Sequence, residues 1–208
     1  MATPVEEFAE ALTRHGDGFD IQLSAEHVGR LNAYYALLLK WNPRLHLVAP
    51  CSAEEFAVRH VLESLMLIKH LPLNSSVIDI GSGAGLPIIP CLLVRDDLRA
   101  TLIESSRKKA EFLREALRAV NLKSRFQLVV RRFEEMTAPE AEFLTCRALD
   151  RFGKLLPKIF GWARPGTMFL LFGGGSLREQ IRSRLTSVTV VRIPESEKRF
   201  LVIGHREI

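Results

Sequence analysis

The sequence predicts an α/β fold: a mostly parallel sheet of about seven strands, preceded by a helical N-terminal extension. The first observation is Val77–Ile80, a short apolar run typical of a buried parallel strand, which leads directly into Gly81, Gly83 and Gly85. The second is a change of rhythm about a third of the way along the chain, from apolar residues at helical spacing to alternating strands and helices. The third is the polar segment 195–199, which is too short for a crossover helix and therefore makes the last strand antiparallel.

Three helices are predicted in the extension. Apolar residues at helical spacing indicate a short first helix over residues 4–14. Ser24 is the expected N-cap of the second helix, which runs to about Asn42 because Pro43 is expected to stop it. A capping box at residues 52–55 starts the third helix.

The chain is expected to form one domain, in which residues 1–70 are the extension and residues 71–208 are the core. The strands predicted after the first one are the apolar segments 100–104, 126–130, 142–148, 167–172, 188–193 and 200–203. Four helices are predicted between these strands. The first follows the glycine turn, the second runs from Ser105 or Ser106 to Val120, and the third runs from about Arg151 to Trp162. The fourth begins at a capping box at 176–179 and ends at Leu185.

The glycine turn is the candidate ligand site. A strand, a glycine turn and a helix make a nucleotide or nucleoside site at the carboxyl end of a sheet, because glycine adopts left-handed backbone cheaply and lets a ligand approach the chain. A dinucleotide fingerprint would have its third glycine where this chain has Leu86, and no P-loop motif occurs. A nicotinamide-dependent oxidoreductase is therefore the less favoured alternative, and a tight turn without a ligand is the other.

Two acids flank this turn. Asp79 stands two residues before the first glycine. Glu104 ends the second predicted strand, 19 residues after Gly85, where a carboxylate can accept hydrogen bonds from both hydroxyls of a ribose. The alternative for Glu104 is a solvated strand end.

Composition narrows the class of protein. The net charge of +5 weakly favours a polyanionic partner. Three cysteines without a C-x-x-C motif are expected to be reduced thiols of a cytoplasmic protein. The six histidines show no H-x-x-x-H spacing, so we expect no dedicated metal site. The N-terminus lacks a secretory signal, and the apolar stretch 77–94 contains an acid, three glycines and two prolines, which a membrane helix would not.

Several residues have two interpretations. Tyr34 and Trp41 could stack on bases, but aromatic residues at helical spacing are more often core, which we favour. Lys108 and Lys109 lie near a helix start, where cations oppose the helix dipole. They mark either an RNA-facing patch or a solvated face.

Five groups of residues occur in one order along nearly the whole chain. They are Leu-Leu-Lys-Trp-Asn at 38–42, Arg59-His60 with Ser64-Leu65, the stretch 79–90, Lys108-Lys109 with Phe112-Leu113, and Cys146-Arg147-Ala148. In these groups the chain resembles the bacterial 16S ribosomal RNA guanine-N7 methyltransferase G family, also called glucose-inhibited division protein B. The glycine motif alone is only moderately specific, whereas the ordered set is strong.

The resemblance implies a Rossmann-like class I methyltransferase fold and S-adenosyl-L-methionine as the cofactor. It implies 16S ribosomal RNA, or a precursor of the small ribosomal subunit, as the partner of a cytoplasmic monomer. The cofactor-binding residues that it implies are Asp79, Gly81, Gly83, Gly85, Leu86, Glu104, Phe133, Glu134 and Arg147. It places Phe133 and Glu134 at the adenine.

No residue is assigned as an acid or base catalyst, and the resemblance implies that Arg147, Arg59 and His60 lie near the substrate. Spacing alone makes Arg59 and His60 a boundary pair that holds the extension on the sheet. The family carries Arg-His at this point, and the functional alternative places the pair at the rim of the cofactor pocket or against RNA phosphate.

The chain departs from the family pattern in several places. The family usually has Asp where this chain has Glu63 and Glu142, and Ser where it has Cys146. It has Lys where this chain has Phe172 and Asn where it has His46. We expect the changes at 172 and 46 to lie where the substrate is read. Two alternatives to 16S RNA methylation therefore stay open. The chain could methylate a different RNA or a small molecule, or it could bind the cofactor without catalysing a reaction.

Overall fold

The structure, a computed structural model, describes residues 2–119, 122, 125–147, 152–182 and 184–205. Helices occupy the first third of the chain: α1 (Pro4–Gly16), α2 (Ala25–Leu45), and then one continuous helical run made of α3 (Ala53–Phe56), a π-helical turn (Ala57–Leu62), α4 (Glu63–Leu65) and a 3-10 turn (Met66–His70). The sheet begins after this run, so the predicted change of rhythm is confirmed.

Side-chain caps start these helices, because the first N–H groups of a helix have no intrahelical partner. Ser24 accepts a hydrogen bond from the His27 N–H at 3.1 Å, which confirms its predicted role. Ser52 caps α3 in the same way, accepting from the Glu55 N–H at 3.0 Å. The Glu55 side chain pairs with Arg59 instead of completing the predicted capping box.

The prediction that Pro43 ends α2 is wrong. Pro43 lies inside the helix, in its last turn, and the helix continues to Leu45. It ends where His46 adopts a left-handed conformation, with φ of 47° and its N–H donating to the Asn42 carbonyl at 2.9 Å. A proline so close to the end removes only one backbone hydrogen bond, which the packing of α2 outweighs.

The strands and helices of the core alternate as predicted. The strands are β1 (Ser76–Ile80), β2 (Arg99–Ile103), β3 (Phe126–Val129), β4 (Phe143–Cys146), β5 (Met168–Gly173), β6 (Thr186–Arg192) and β7 (Phe200–His205). The helices are α5 (Ile88–Val94), α6 (Arg107–Ala119), α7 (Phe152–Trp162) and α8 (Gly175–Arg182). Helix α8 begins at Gly175, so the prediction of Ser176 as its cap is wrong. The predicted boundary residues Val120, Ala148 and Arg151 lie outside the described residues.

The seven strands form one sheet in the order β3-β2-β1-β4-β5-β7-β6. Neighbours among the first five strands are parallel, whereas β7 is antiparallel to both β5 and β6. The predicted fold class and the antiparallel last strand are therefore confirmed. The strand order reverses between β1 and β4, and ligands of open α/β sheets bind at the carboxyl ends of the strands at such a point.

The sheet separates two apolar layers, because successive side chains of a strand point to opposite faces. Val77 packs into the cluster that holds the N-terminal helices, α5 and α6. Its neighbour Ile78, like Ile80, packs into the cluster that holds α7 and α8. The N-terminal helices therefore share a core with the face of the sheet that Asp79 also faces.

Candidate functional site

The glycine turn follows β1 directly and requires glycine. Gly81, Gly83 and Gly85 have φ angles of 71°, 52° and 84°, in the left-handed region that L side chains rarely adopt. A Cβ at Gly85 would also lie 2.2 Å from Ile89 Cδ1. The Ile89 N–H donates to the Gly85 carbonyl at 2.7 Å, so the turn packs closely on the start of α5.

Asp79 is fully buried beneath this turn. Its side chain has no exposed surface, and neither carboxyl oxygen has a hydrogen-bond partner among the described residues. Burial is the main cause that raises the pKa of Asp79 to about 8; the nearby Ser82 hydroxyl opposes the rise, and the Glu104 carboxylate adds to it. Unpaired buried carboxyls are costly and rare, so this group has the properties of one that a bound ligand satisfies.

Glu104 connects the glycine turn to α6. One carboxylate oxygen accepts the Gly83 N–H at 2.8 Å, and the other accepts the Ser106 N–H at 2.7 Å. The side chain is only 6% exposed, so the alternative of a solvated strand end is wrong. A carboxylate has about four acceptor positions, and each oxygen therefore keeps capacity for a further donor.

Two cavities meet at Gly81. One of about 180 Å³, the Phe133 cavity, is lined by Ile80, Gly81, Ile103, Ser105, Arg131, Arg132, Phe133, Glu134 and Leu155. The other, of about 320 Å³, is the His60 cavity, lined by Leu47, Val48, Ala49, His60, Gly81, Ser82, Gly83, Ala84, Leu86, Lys109 and Arg147. Together they form a bipartite site at the carboxyl edge of the sheet.

The structure brings most of the predicted site residues to these two cavities. The residues that line them are Gly81, Gly83, Leu86, His60, Arg147, Phe133 and Glu134. Asp79, Gly85 and Glu104 do not line either cavity themselves, but each is next in the chain to a residue that does. The Arg59 side chain lines neither cavity and pairs with Glu55.

A buried carboxylate holds two arginines beside the His60 cavity. Glu63 is 1% exposed, and its two oxygens lie 2.9 Å from Arg147 Nη2 and 2.7 Å from Arg199 Nη1. Burial raises the pKa of Glu63, an effect that the two guanidinium groups oppose. Arg147 also donates to the Arg59 carbonyl and, at 3.4 Å, to the Ser64 hydroxyl. This network fixes the Arg147 guanidinium.

Phe172 lies under the same guanidinium. The Cζ atom of Arg147 is 5.3 Å from the centroid of the Phe172 ring, a cation–π distance. Gly173 pairs with Phe200, so the antiparallel β7 starts where β5 ends and brings Arg199 to this edge. The family's lysine position is therefore occupied by a ring that packs on one of two neighbouring cations.

Of the two interpretations of the Arg59-His60 pair, the functional one fits His60 and the supporting one fits Arg59. The His60 ring lies 5.1 Å from the Phe56 ring and faces the cavity. Burial, aided by Arg147 and other nearby arginines, lowers the pKa of His60 to about 3, so the imidazole is neutral at pH 7. Arg59 contributes its backbone carbonyl to Arg147, which makes it part of the support.

Two supports of the site were not predicted. The fully buried Tyr34 hydroxyl donates to the Ala84 carbonyl at 2.7 Å, which ties α2 to the glycine turn. Asn42 exchanges hydrogen bonds of 3.0 and 3.1 Å with the Val48 backbone and so holds the loop that lines the His60 cavity. A buried tyrosine hydroxyl usually finds a hydrogen-bond partner, and this rule was the available signal that Tyr34 supports another element.

The aromatic residues of α2 are core, as we favoured. Tyr34 is buried, and Trp41 packs edge-on against Phe112 with a centroid distance of 6.4 Å. The Trp41 indole N–H donates to Glu115 at 3.0 Å. Both rings are therefore engaged in packing within the molecule, Tyr34 fully and Trp41 in part.

His46 differs from the family for a backbone reason. It is exposed, does not line the His60 cavity, and caps α2 in the left-handed conformation. Asn and His are both enriched in that conformation. The substitution therefore preserves a helix end, and the expectation that it lies where the substrate is read stays a prediction; Leu47, which follows it, lines the His60 cavity.

The part of the chain that the structure describes contains neither a cluster of metal-ligating side chains nor a membrane-spanning helix. Within it, no group of three or more His, Cys, Asp or Glu side chains could hold a metal ion. No helix there is long and apolar enough to cross a bilayer.

Comparison with known proteins identifies the family. The family model described as rRNA small subunit methyltransferase G matches residues 27–208. Ribosomal RNA small subunit methyltransferase G of Xanthomonas campestris pv. campestris (strain B100) is 34% identical over 192 residues, which cover 89% of this chain and 90% of that protein. The protein of the same name from Caldanaerobacter subterraneus subsp. tengcongensis is 31% identical over 204 residues, covering 90% and 85%.

Solved structures share the fold. The S-adenosylmethionine-dependent methyltransferase SibL in its apo form superposes with a TM-score of 0.60 at 14% identity, covering 97% of this chain and 74% of that one. The tRNA (m1A58) methyltransferase TrmI from Aquifex aeolicus superposes with a TM-score of 0.55 at 16% identity, covering 70% and 68%. The fold is thus that of class I methyltransferases, and the chain belongs to the family of ribosomal RNA small subunit methyltransferase G.

Proposed function

We propose that this chain is an S-adenosyl-L-methionine-dependent methyltransferase that transfers a methyl group to N7 of a guanine in 16S ribosomal RNA. The observation that carries the proposal is the site itself, which lies between two cavities at the strand-order reversal of the sheet. Its left-handed glycine turn covers the Asp79 carboxyl, which has no hydrogen-bond partner among the described residues. Membership of the methyltransferase G family supports the reaction and the substrate.

The residues present fit the cofactor. The Phe133 cavity, with an aromatic ring and apolar walls, suits the adenine. Glu104 suits the ribose hydroxyls, since both of its oxygens can accept a further hydrogen bond. Gly81 joins the two cavities and lets a ligand run along the backbone from one to the other.

Asp79 suits the positive charge on the methionine side of the cofactor. Gly83 and Leu86 would bound the methionine in the His60 cavity, where the cations Arg147 and Lys109 line the wall and Arg147 would face the methionine carboxylate. The ammonium group of the ligand would favour the ionised form of this buried carboxyl, because an opposite charge offsets the cost of burying it.

When bound, the cofactor supplies an electrophilic methyl group on a positive sulfonium. Guanine N7 carries a lone pair and no proton, so the reaction needs no general base, and the work of the chain is mainly positioning. The acids near the site are not placed to act as a general base, because Glu63 is held by two arginines and Asp79 is buried. His60 and Arg147 face the cavity where the guanine would enter.

The same proposal takes the chain as a single domain that acts as a monomer on RNA of the small ribosomal subunit in the cytoplasm. One apolar cluster extends from Phe8 in α1 to Leu201 in β7, which supports the extension and the core as one folding unit. A chain with a net charge of +5 is suited to a polyanionic substrate.

The first test separates the two cofactor classes. S-adenosylhomocysteine should raise the melting temperature of the chain, since a ligand that binds only the folded state stabilises it. NAD(H) should leave it unchanged. Stabilisation by NAD(H) alone would contradict the proposal and favour the oxidoreductase alternative.

The second test follows labelled methyl groups into free 16S RNA and whole 30S subunits from a strain that lacks this modification. Label should enter one guanine, and Arg147→Gln should reduce transfer by about 100-fold or more, because it removes an aligned contact at the reacting end of the site. Arg99→Gln, at the opposite edge of the sheet, is the matched control.

Phe172 supports the runner-up, a cofactor-binding protein with another substrate or without catalysis. If S-adenosylhomocysteine binds and no label reaches 16S RNA in either form, the runner-up replaces the RNA assignment. Activity that appears only in Phe172→Lys would identify this position as the cause.

A further inference from the structure

We infer that the surface formed by Arg107, Arg131 and Arg132, here called the triarginine surface, binds backbone phosphates of the RNA next to the target guanine. The inference rests on the proposed function and deepens it. It states that the strand reaches the site over the ends of β2 and β3, on the side of the Phe133 cavity.

Topology brings the three arginines together. Strands β2 and β3 are parallel neighbours, so the residues that follow them emerge at the same edge of the sheet. Arg107 begins α6 after β2, and Arg131 and Arg132 follow β3. They line a common cavity of about 360 Å³ whose walls are Ser105, Ser106, Arg107, Val130, Arg131, Arg132 and Glu135. Arg131 and Arg132 also line the Phe133 cavity, so the two sites adjoin.

These arginines are exposed and lack acidic partners. No carboxylate in the described part of the chain lies within ion-pair distance of any of the three, and Glu135 is the one acid in the walls of their cavity. Two arginines at the opposite edge differ. Arg95 is 2.6 Å from Asp97, and Arg125 is 3.0 Å from Asp96. The triarginine surface therefore clusters three unneutralised charges at the carboxyl edge, whereas at the opposite edge Arg99 is the exposed arginine without an ion pair in the described part of the chain.

The proposed cofactor gives these arginines no anion to bind. S-adenosyl-L-methionine contains no phosphate, and its one carboxylate belongs to the methionine end, which we place in the other cavity. A guanidinium offers a planar fork of donors that matches two phosphate oxygens. Phosphates of the RNA strand that delivers the guanine are the anions that must pass near this edge.

The test measures binding of 16S RNA across a series of salt concentrations, without cofactor. Arg107→Gln/Arg131→Gln should raise the Kd about tenfold at physiological salt and make the slope of log K against log salt shallower by roughly 0.7 for each phosphate that the variant no longer binds. Arg107→Gln alone should show about half of this slope change. This single variant matters because Arg107 does not line the Phe133 cavity.

The matched control is Arg99→Gln/Arg118→Gln, which removes the same charge from exposed positions elsewhere. Arg118 lies on the same helix as Arg107, about 16 Å farther along its axis. The control should keep the wild-type slope. Equal slopes for the test and control pairs would overturn the inference. So would a test pair that binds whole subunits more weakly but free RNA unchanged, because the arginines would then contact an acidic protein surface.

The outcome is separable from that of the proposed function. Methyl transfer by the wild-type chain, together with an unchanged slope in the test pair, would leave the function standing and remove the inference. Absence of both methyl transfer and salt-dependent RNA binding in the wild-type chain, with S-adenosylhomocysteine still bound, would remove both.

Discussion

Asp79 is a residue at which the folded chain bears an uncompensated polar cost, since neither carboxyl oxygen has a hydrogen-bond partner among the described residues. Its carboxyl is buried without a partner on the strand that carries the glycine turn, and the pKa is raised to about 8. At neutral pH the folded state therefore holds a proton there, whereas the unfolded chain is ionised above about pH 4. This raised pKa makes folding less favourable as pH rises between the two values.

Replacing Asp79 with Asn tests this account. Between about pH 4 and pH 8 the wild-type chain loses stability with rising pH because its folded state retains a proton that the unfolded state releases. Asp79→Asn has no such proton, so its melting temperature relative to wild type should rise across this range, while its affinity for S-adenosylhomocysteine falls.

Asp20→Asn is the control of opposite sign. Its hydrogen bond with Lys69 lowers the pKa of Asp20, so the native carboxylate is favoured and its removal should give no gain at neutral pH. If the melting temperature of Asp79→Asn relative to wild type does not rise between pH 4 and pH 8, the Asp79 carboxyl is ionised and partnered in the folded chain.

The surroundings of Glu63 explain why a phenylalanine is suited to position 172. Glu63 is nearly inaccessible and already faces the guanidinium groups of Arg147 and Arg199. A lysine at 172 would add a third cation to a buried group with one carboxylate, whereas a phenyl ring offers its negative face to Arg147. The ring therefore maintains the position of Arg147 without further charge.

At the level of elements, α2 acts as a support for the glycine turn. Its residue Tyr34 reaches across to the Ala84 carbonyl, and its C-terminal Asn42 holds the loop that carries Val48. Both interactions end at walls of the His60 cavity. The N-terminal helices are thus part of the site, although they contribute few side chains that face the cavity.

Tyr34→Phe should therefore weaken both stability and the site. It leaves a buried carbonyl without its donor, which costs about 1–3 kcal/mol in the free energy of unfolding. We also expect a lower affinity for S-adenosylhomocysteine, because the turn is no longer tied to α2. Urea denaturation and calorimetric titration measure the two effects.

The neighbouring Tyr35→Phe is the control. Tyr35 is similarly buried and stacks on Phe8 and Phe56, but its hydroxyl has no hydrogen-bond partner within the described ranges. Its removal should change the free energy of unfolding less and leave the ligand affinity as it is. Equal effects of the two substitutions would mean that the Tyr34 hydrogen bond does not support the turn.

At the scale of the whole molecule, His15 joins the two ends of the chain. Its ring nitrogens lie 2.8 Å from Glu54 in α3 and 2.9 Å from Glu195 in the loop between β6 and β7, which also carries Arg199. The hydrogen bonds to Glu54 and then to Glu195 raise the pKa of His15. The other charge that faces this group is Arg14, 3.1 Å from Glu54.

This bridge predicts a pH-dependent stability. Because the pKa of His15 is raised in the folded chain, its contribution is complete below the unfolded value of about 6.5 and disappears as pH rises through the folded value. The melting temperature of wild type should therefore exceed that of His15→Gln most at about pH 6, and the difference should shrink by about pH 9.

His46→Asn is the matched control, since His46 is exposed and has no ion-pair partner in the described part of the chain. Its melting temperature should follow that of wild type across the same range. A difference between wild type and His15→Gln that stays constant with pH would contradict a protonated bridge.

Local sequence was sufficient to predict the order of the elements, the glycine turn and the antiparallel last strand. These follow from local physics: the periodicity of apolar residues, the backbone freedom of Gly83 and Gly85, and a loop too short for a crossover. The local physics was insufficient at the end of α2, where packing outweighed the missing hydrogen bond of Pro43.

Which side chains meet depends on the tertiary structure. Arg147 and Glu63 are 84 residues apart in the sequence, and Tyr34 and Ala84 are 50 apart. No local pattern relates such pairs, because their meeting depends on the order of strands and on the face to which each side chain points. The triarginine surface has the same origin: it exists because β2 and β3 are neighbours whose carboxyl ends share one edge of the sheet.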